Sequence, residues 1–249
     1  MNLLITSLAD RPDLASRVPD FPDAWPEFMY HDSVSLLLYG GLAAAHPQHC
    51  LIAMDGPIPV ARAFSTPFTW AGDPATDLPP GGHDTVITQA AADRFAGRTG
   101  NLVAAVEVTV RPDRRGTGVS ARMLAALRER TARLGYRDLV VPVRPNHKHE
   151  HPGVPLAGYA ARTRPDGLPV DPWLRVHVRA GGRIVGPAPH STTICATLDR
   201  WRSWTGLPFD RTGPVKVPGA LVPVHCDVAA GTAVYVEPNI WVHHSLNPS

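Results

Sequence analysis

Cysteine is scarce in this 249-residue chain: Cys50, Cys195 and Cys226 stand far apart and odd in number. No CxxC pair or tight metal spacing occurs, so a disulfide framework and a zinc knuckle are both excluded, and reduced, partly buried thiols are expected. No apolar run approaches the roughly 20 residues that span a bilayer. The start, Met1-Asn2-Leu3-Leu4-Ile5, lacks the basic stretch and long apolar segment of a secretory leader, so a cytoplasmic protein without a membrane partner is expected. Charge of one sign is also missing. The formal net charge is +2, too small to argue for nucleic acid, although the basic residues are mostly arginine. There is no Gly-Lys-Ser/Thr phosphate loop, no GxGxxG pattern, no internal repeat and no low-complexity tail.

Apolar residues make up an ordinary 44%, enough for a sizeable core. Proline is abundant: 27 residues imply long, rigid, non-helical connections. Hydrophobic spacing predicts strands at 3–6, 48–54, 59–65, 103–110, 138–143, 220–227 and 233–236. The last is extended by 241–243, and another strand starts at 183–185. Helices are predicted at 10–17, 32–45, 84–96, 119–134, 170–180 and 198–205, with Asp32 and Asp171 as caps and Pro172 in a first turn. Asp55-Gly56-Pro57 reads as a hairpin turn, and 18–27, 66–82 and 144–169 as loops. Phe21, Trp25 and Phe28 are too apolar for a wholly exposed loop; they either pack on the core or wall a pocket. The order of elements suggests a mixed-sheet α/β or α+β domain over 1–249, with an insert at 66–100 and a β-rich extension at 190–249.

The centre of the chain is a β-branched strand, then Arg111-Pro112-Asp113-Arg114-Arg115-Gly116-Thr117-Gly118, then an apolar helix from Val119. A helix N-terminus offers backbone N–H groups and partial positive charge to an anion. Glycines at 116 and 118 let the anion approach, Arg114 and Arg115 add charge, and Thr117 and Ser120 bring hydroxyls.

With Arg115, Gly118 and Ser120 in its Arg-x-x-Gly-x-Gly/Ala places, this stretch resembles motif A of the GNAT superfamily of N-acetyltransferases; Ser120 departs from the usual Gly or Ala but is small. The resemblance implies a mixed, mostly antiparallel sheet flanked by helices and splayed at two central parallel strands. It implies acetyl-CoA as acyl donor, with its pyrophosphate on the backbone of Arg115, Gly116, Thr117, Gly118, Val119 and Ser120. Pantetheine would pair with the strand edge at Val108 and Val110, and a backbone N–H near Val108 would hold the oxyanion. No metal is implied. The segment Trp173–Val185 is similar to the family's later helix–strand unit, with Gly181 on its glycine, Gly182 in place of an aromatic, and His177 where the family often has a tyrosine acid. Glu107 is a charged residue within an apolar strand. By alternation it shares a face with Ala105 and Thr109. The resemblance implies a base acting through water; a structural hydrogen bond is the other reading.

Asn146-His147-Lys148-His149-Glu150-His151 reads as a solvent-facing loop, with substrate or metal contact as alternatives. His243-His244 is expected to be exposed, 237–241 to line an acceptor pocket, and Trp201 and Trp204 to be core. The expected activity is direct acyl transfer to a small-molecule amine. Other acyl-CoA chemistry, such as decarboxylation or hydrolysis, and non-catalytic CoA binding are the rivals. The β-rich end leaves a homodimer open.

Overall fold

The computed structural model describes residues 3–20 and 25–246. The elements in chain order are β1 (Leu3–Ser7), α1 (Ser33–Ala45), β2 (Cys50–Asp55), β3 (Ile58–Phe68), α2 (Gly82–Phe95), β4 (Leu102–Val110), α3 (Val119–Arg133) and β5 (Asp138–Val143). They continue with α4 (Leu156–Ala160), α5 (Pro172–Arg179), β6 (Arg183–Thr197), α6 (Leu198–Thr205), β7 (Gly213–Val215), β8 (Val224–Asp227) and β9 (Thr232–Ser245). The strands form one sheet in the order β1-β2-β3-β4-β5-β9-β8-β7, with β6 also on β9. Every pairing is antiparallel except β4 with β5.

Local chemistry explains the element ends. Asp32 accepts from the N–H groups of Val34 and Ser35 and caps α1. Asp171 does the same for Trp173 and Leu174, with Pro172 in the first turn of α5. On one face of the sheet Val103, Ala105, Leu139 and Val141 pack against Val119, Met123 and Leu127 of α3 and Leu174 of α5. On the other, Leu102, Ala104 and Val140 pack against Leu42 of α1 and Val86, Ile87 and Ala90 of α2. A third cluster, around Trp201, Tyr235 and Phe209, fills the β-rich end.

Several expectations are corrected. The short helix expected at 10–17 lies at 12–20 and is 3-10. The proline-rich stretch does not stay extended to residue 27, because Glu27–His31 is also 3-10 and carries Phe28 into the third cluster. There Phe28 meets Trp201 and Tyr235 at ring-centroid distances of 5.7 and 5.3 Å, so it is core and not a pocket wall. Trp25 lies with its ring 5.6 Å from the Arg144 guanidinium, and Phe21 lies outside the described residues. Loop 144–169 contains α4, whose Tyr159 donates to Asp171. The strand at 220–227 shortens to β8, the strand that starts at 183–185 continues as β6 to Thr197, and β9 joins 233–236 and 241–243 into one strand. Trp201 is fully buried; Trp204 is partly buried and stacks on His31 at 4.2 Å.

Candidate active site

The parallel strands β4 and β5 meet at only two pairs, Val103 with Leu139 and Ala104 with Val140. Beyond them the strands diverge. Val108 and Val110 remain paired to Ala63 and Ala61 of β3, so among the described residues the β5-facing edge of β4 has no strand partner there. An extended ligand can hydrogen-bond such an edge as a strand would.

At the end of β4 the chain makes a 3-10 turn at Pro112–Arg114 and enters α3 through Gly118. Gly116 and Gly118 have φ of 74° and 83°, a region that favours glycine, and a Cβ on either would meet nothing within 4 Å. No side chain caps α3, so its first N–H groups are available to an anion. Arg115, Gly116, Thr117 and Gly118 are exposed, Ser120 is half-buried and Val119 is buried in the core beneath. Arg114 pairs with Asp55 at 3.1 Å, and its buried Nε lies 3.7 Å from Asp113 Oδ2 without a hydrogen bond. The Thr117 hydroxyl donates to Arg114 O at 2.6 Å, so it braces the turn instead of pointing outward. This open, uncapped, cationic cradle fits a pyrophosphate.

The register of β3 against β4 shifts between Phe64, opposite Glu107, and Ser65, opposite Ala105. Val106 is the extra residue of a β-bulge, and an extra residue reverses the alternation. Glu107 therefore does not share a face with Ala105, as simple alternation predicts. Ala105, Val108 and Val110 face α3, whereas Glu107 reaches Tyr39 of α1, with Thr109 beside it. The Glu107 carboxylate accepts from Arg62 Nε at 2.6 Å, Tyr39 Oη at 2.7 Å and Thr109 Oγ1 at 2.6 Å. Burial, and then the Glu107 charge, push the Tyr39 phenol well above its ordinary pKa.

His177 sits in the last turn of α5 and is fully buried. Its Nδ1 lies 2.9 Å from His244 Nε2, and Trp173 packs edge-on at 4.4 Å. Burial, and then His244, hold the His177 pKa well below 6.5. His243 and His244 are not exposed. His244 is fully buried because β9 runs through the middle of the sheet, between β5 and both β6 and β8. Its pKa is lowered to about 4 by burial, then by Arg128 and His243. His243 contacts Asp138 Oδ1 at 2.7 Å. Gly182 makes room for His244: a Cβ there would come 2.6 Å from its Cε1. Leu139, opposite His244, also pairs with Val103, so His244 lies level with the joined end of β4 and β5.

Past the open end of β5, Arg144 Nε donates to both oxygens of Glu237 at 3.1 and 2.9 Å, and its Nη2 to Gly219 O at 2.6 Å. Tyr235 donates to the same carboxylate, and Asn239 links it to Ser191. Residues 237–241 thus form a buried polar network together with the core residues Ile240 and Trp241. The His147–His151 run is not simply a solvent loop either. Lys148 is fully buried, with Nζ donating to His151 O and Leu221 O at 2.9 and 2.6 Å. Asp32, His83 and Asp84 bring potential ligand atoms within 4.8 Å of one another at the starts of α1 and α2. Sequence reading missed this group because Asp32 is remote in the chain from the other two.

No family model matches this chain. It is 38% identical to the arginine N-acetyltransferase AvaD of Aspergillus versicolor, over 98% of this chain and 94% of that protein. Two solved structures share the fold at 16% identity. One is the loading GNATL domain of CurA from Lyngbya majuscula (TM-score 0.58, covering 98% of this chain and 97% of that one). The other is the GphF GNAT-like decarboxylase in complex with isobutyryl-CoA (TM-score 0.57, 99% and 100%). The chain belongs to the GNAT superfamily of N-acetyltransferases. It is an enzyme, an acyl-CoA-dependent N-acyltransferase. Among the described residues, no helix is long and apolar enough to cross a membrane.

Proposed function

We propose that this protein transfers the acetyl group of acetyl-CoA directly to an amine of arginine or a closely similar cationic small molecule. The observation that carries the reading is the β4 arrangement: an unpaired edge and an uncapped glycine turn on one strand, with Glu107 turned by the bulge to the opposite face. The identity to an arginine N-acetyltransferase over nearly the whole chain supports the acceptor. In this reading the backbone N–H groups from Arg115 to Ser120 hold the pyrophosphate, and the Val108–Val110 edge aligns the pantetheine. A backbone N–H near Val108 stabilises the oxyanion. Glu107 already accepts three hydrogen bonds, so it takes the amine's proton through a water. His177 is neutral at pH 7 because its basicity is suppressed. Its full burial against His244, level with the joined end of β4 and β5, sets it apart from a thioester at the Val108–Val110 edge, so no step is given to it here. Residues 1–249 act as one cytoplasmic acyltransferase domain, and no step is assigned to a metal.

A thiol-release assay over an amine panel tests this. Release that depends on arginine, with N-acetylarginine formed, is the expected result. Release at the same rate without amine would instead identify a hydrolase or decarboxylase. A folded His177→Phe variant is expected to keep kcat; a lowered kcat with unchanged KM for acetyl-CoA would bring His177 into the reaction.

A further inference from the structure

The adjacent strands β3 and β4 each carry one charged residue, Arg62 and Glu107, in an otherwise uncharged run. The register sets Arg62 opposite Thr109, and the bulge at Val106 turns Glu107 to the side of both. Arg62 is itself held in place. Its Nη1 donates to Val18 O at 3.1 Å, and its guanidinium carbon lies 5.9 Å from the centre of the Phe64 ring. Phe64 in turn packs edge-on against Tyr39 at 5.3 Å. The Arg62 and Glu107 side chains keep 20% and 10% of their exposure, so water reaches the pair.

A carboxylate offers about four acceptor places, two on each oxygen. Oε1 of Glu107 receives Arg62 Nε–H and Thr109 Oγ1–H, each at 2.6 Å. Oε2 receives Tyr39 Oη–H at 2.7 Å. Among the described residues, these are the donors to Glu107. Oε1 is therefore filled, and Oε2 keeps one place to which no described protein group donates.

We propose that Arg62 and Thr109 are positioning residues that fill Oε1 and so direct the water carrying the amine's proton to Oε2, beside the Tyr39 hydroxyl. The proposal rests on the reading of Glu107 as the base. The ammonium gives one proton to the water and the water gives one to Oε2; the amine is left neutral and Glu107 becomes a neutral acid. The two oxygens are not equivalent for this step. Arg62 can only donate, so a proton on Oε1 would meet a donor that cannot turn into an acceptor. A proton on Oε2 meets Tyr39, whose hydroxyl can rotate and accept. Arg62 also sets the pH at which Glu107 is available. The titratable groups facing the carboxylate from α1 and β2 are Tyr39 and Cys50, both raised by burial and uncharged at pH 7. The guanidinium of β3 is the charge paired with it, and an opposite charge at this distance favours the ionised form.

Carbon-13 NMR of glutamate-labelled protein follows the Glu107 carboxyl without reference to turnover. The chain has five glutamates, and Glu107→Gln assigns the signal. Arg62→Met is expected to tighten proton binding at Glu107 by about tenfold or more, and Arg62→Lys to restore most of the native value. An unchanged titration in folded Arg62→Met overturns the role of Arg62. Thr109→Val keeps the shape and removes one donor from Oε1. It is expected to lower kcat about fivefold with KM for acetyl-CoA unchanged; an unaltered kcat overturns the role of Thr109. Neutron diffraction from crystals at acid pH locates the proton itself. It is expected on Oε2, and a proton on Oε1 overturns the proposal. Full turnover in Glu107→Gln sinks the base and the proposal with it. Lost turnover there, with an unchanged Arg62→Met titration, sinks the proposal alone.

Discussion

Tyr39 Oη donates a 2.7 Å hydrogen bond to Glu107 Oε2, tying helix α1 to the carboxylate on β4. Arg62 holds the other oxygen at 2.6 Å, so the carboxylate is fixed in direction from both sides. Glu107→Gln is expected to lower kcat by about a hundredfold, as for loss of a general base. Tyr39→Phe removes one neutral donor, worth about 1 kcal/mol or roughly fivefold. Steady-state thiol release gives both values. Equal loss of kcat and acetyl-CoA affinity in Glu107→Gln would assign the residue a structural role only.

The phosphate cradle is testable by binding alone. Arg115→Ala combined with Gly118→Asp removes an exposed cation and sets a carboxylate at the uncapped α3 terminus, at φ 83°. Calorimetry is expected to show no acetyl-CoA binding. Unaltered affinity in a folded variant would place the pyrophosphate elsewhere.

Arg144 and Glu237 form a nearly buried pair, with side-chain exposures of 15% and 2%. Removing one partner of such a pair strands the other and costs about 3–5 kcal/mol. Glu237→Gln keeps its hydrogen-bonding shape and is expected to cost less than Glu237→Ala. Urea unfolding measures both, and equal, small losses would show that the network contributes little.

Acid should weaken the fold in a defined window. His49 and His244 are buried, and burial is the first cause that lowers each pKa from 6.5 to about 4. Below pH 6.5 the unfolded chain takes up these protons and the folded one does not. Their contribution is complete above pH 6.5 and is lost as pH falls towards 4. Unfolding free energies measured across that range should fall, and His49→Gln should flatten the slope; a level profile contradicts the assignment.

Thiol chemistry separates the cysteines. Cys195 is exposed, while Cys50 and Cys226 are buried, with Cys50 pushed up to about 12 by burial and then by Glu107. A thiol reagent should label Cys195 alone in the native enzyme and all three in denaturant. Rapid native labelling of Cys195→Ser would show that a buried thiol is accessible.

Much of the candidate site is local in sequence, and its local conformation is legible there. The strand, the Arg115–Ser120 turn and the helix after it form one continuous stretch, and glycine, proline and capping aspartates mark their own conformations. Alternation failed at Glu107 because a bulge adds one residue against β3, a property of the pairing and not of β4 alone. His243 and His244 look like a polar tail until β9 is threaded through the sheet, which buries them. The turn, its glycines and the apolar run of β4 therefore come from the sequence by itself, since backbone preference and hydrophobic period act over a few residues. The tertiary structure alone decided which face Glu107 takes, why Gly182 must stay small, and that His177 and His244 meet. Those outcomes depend on strand register and on contacts between residues far apart in the chain.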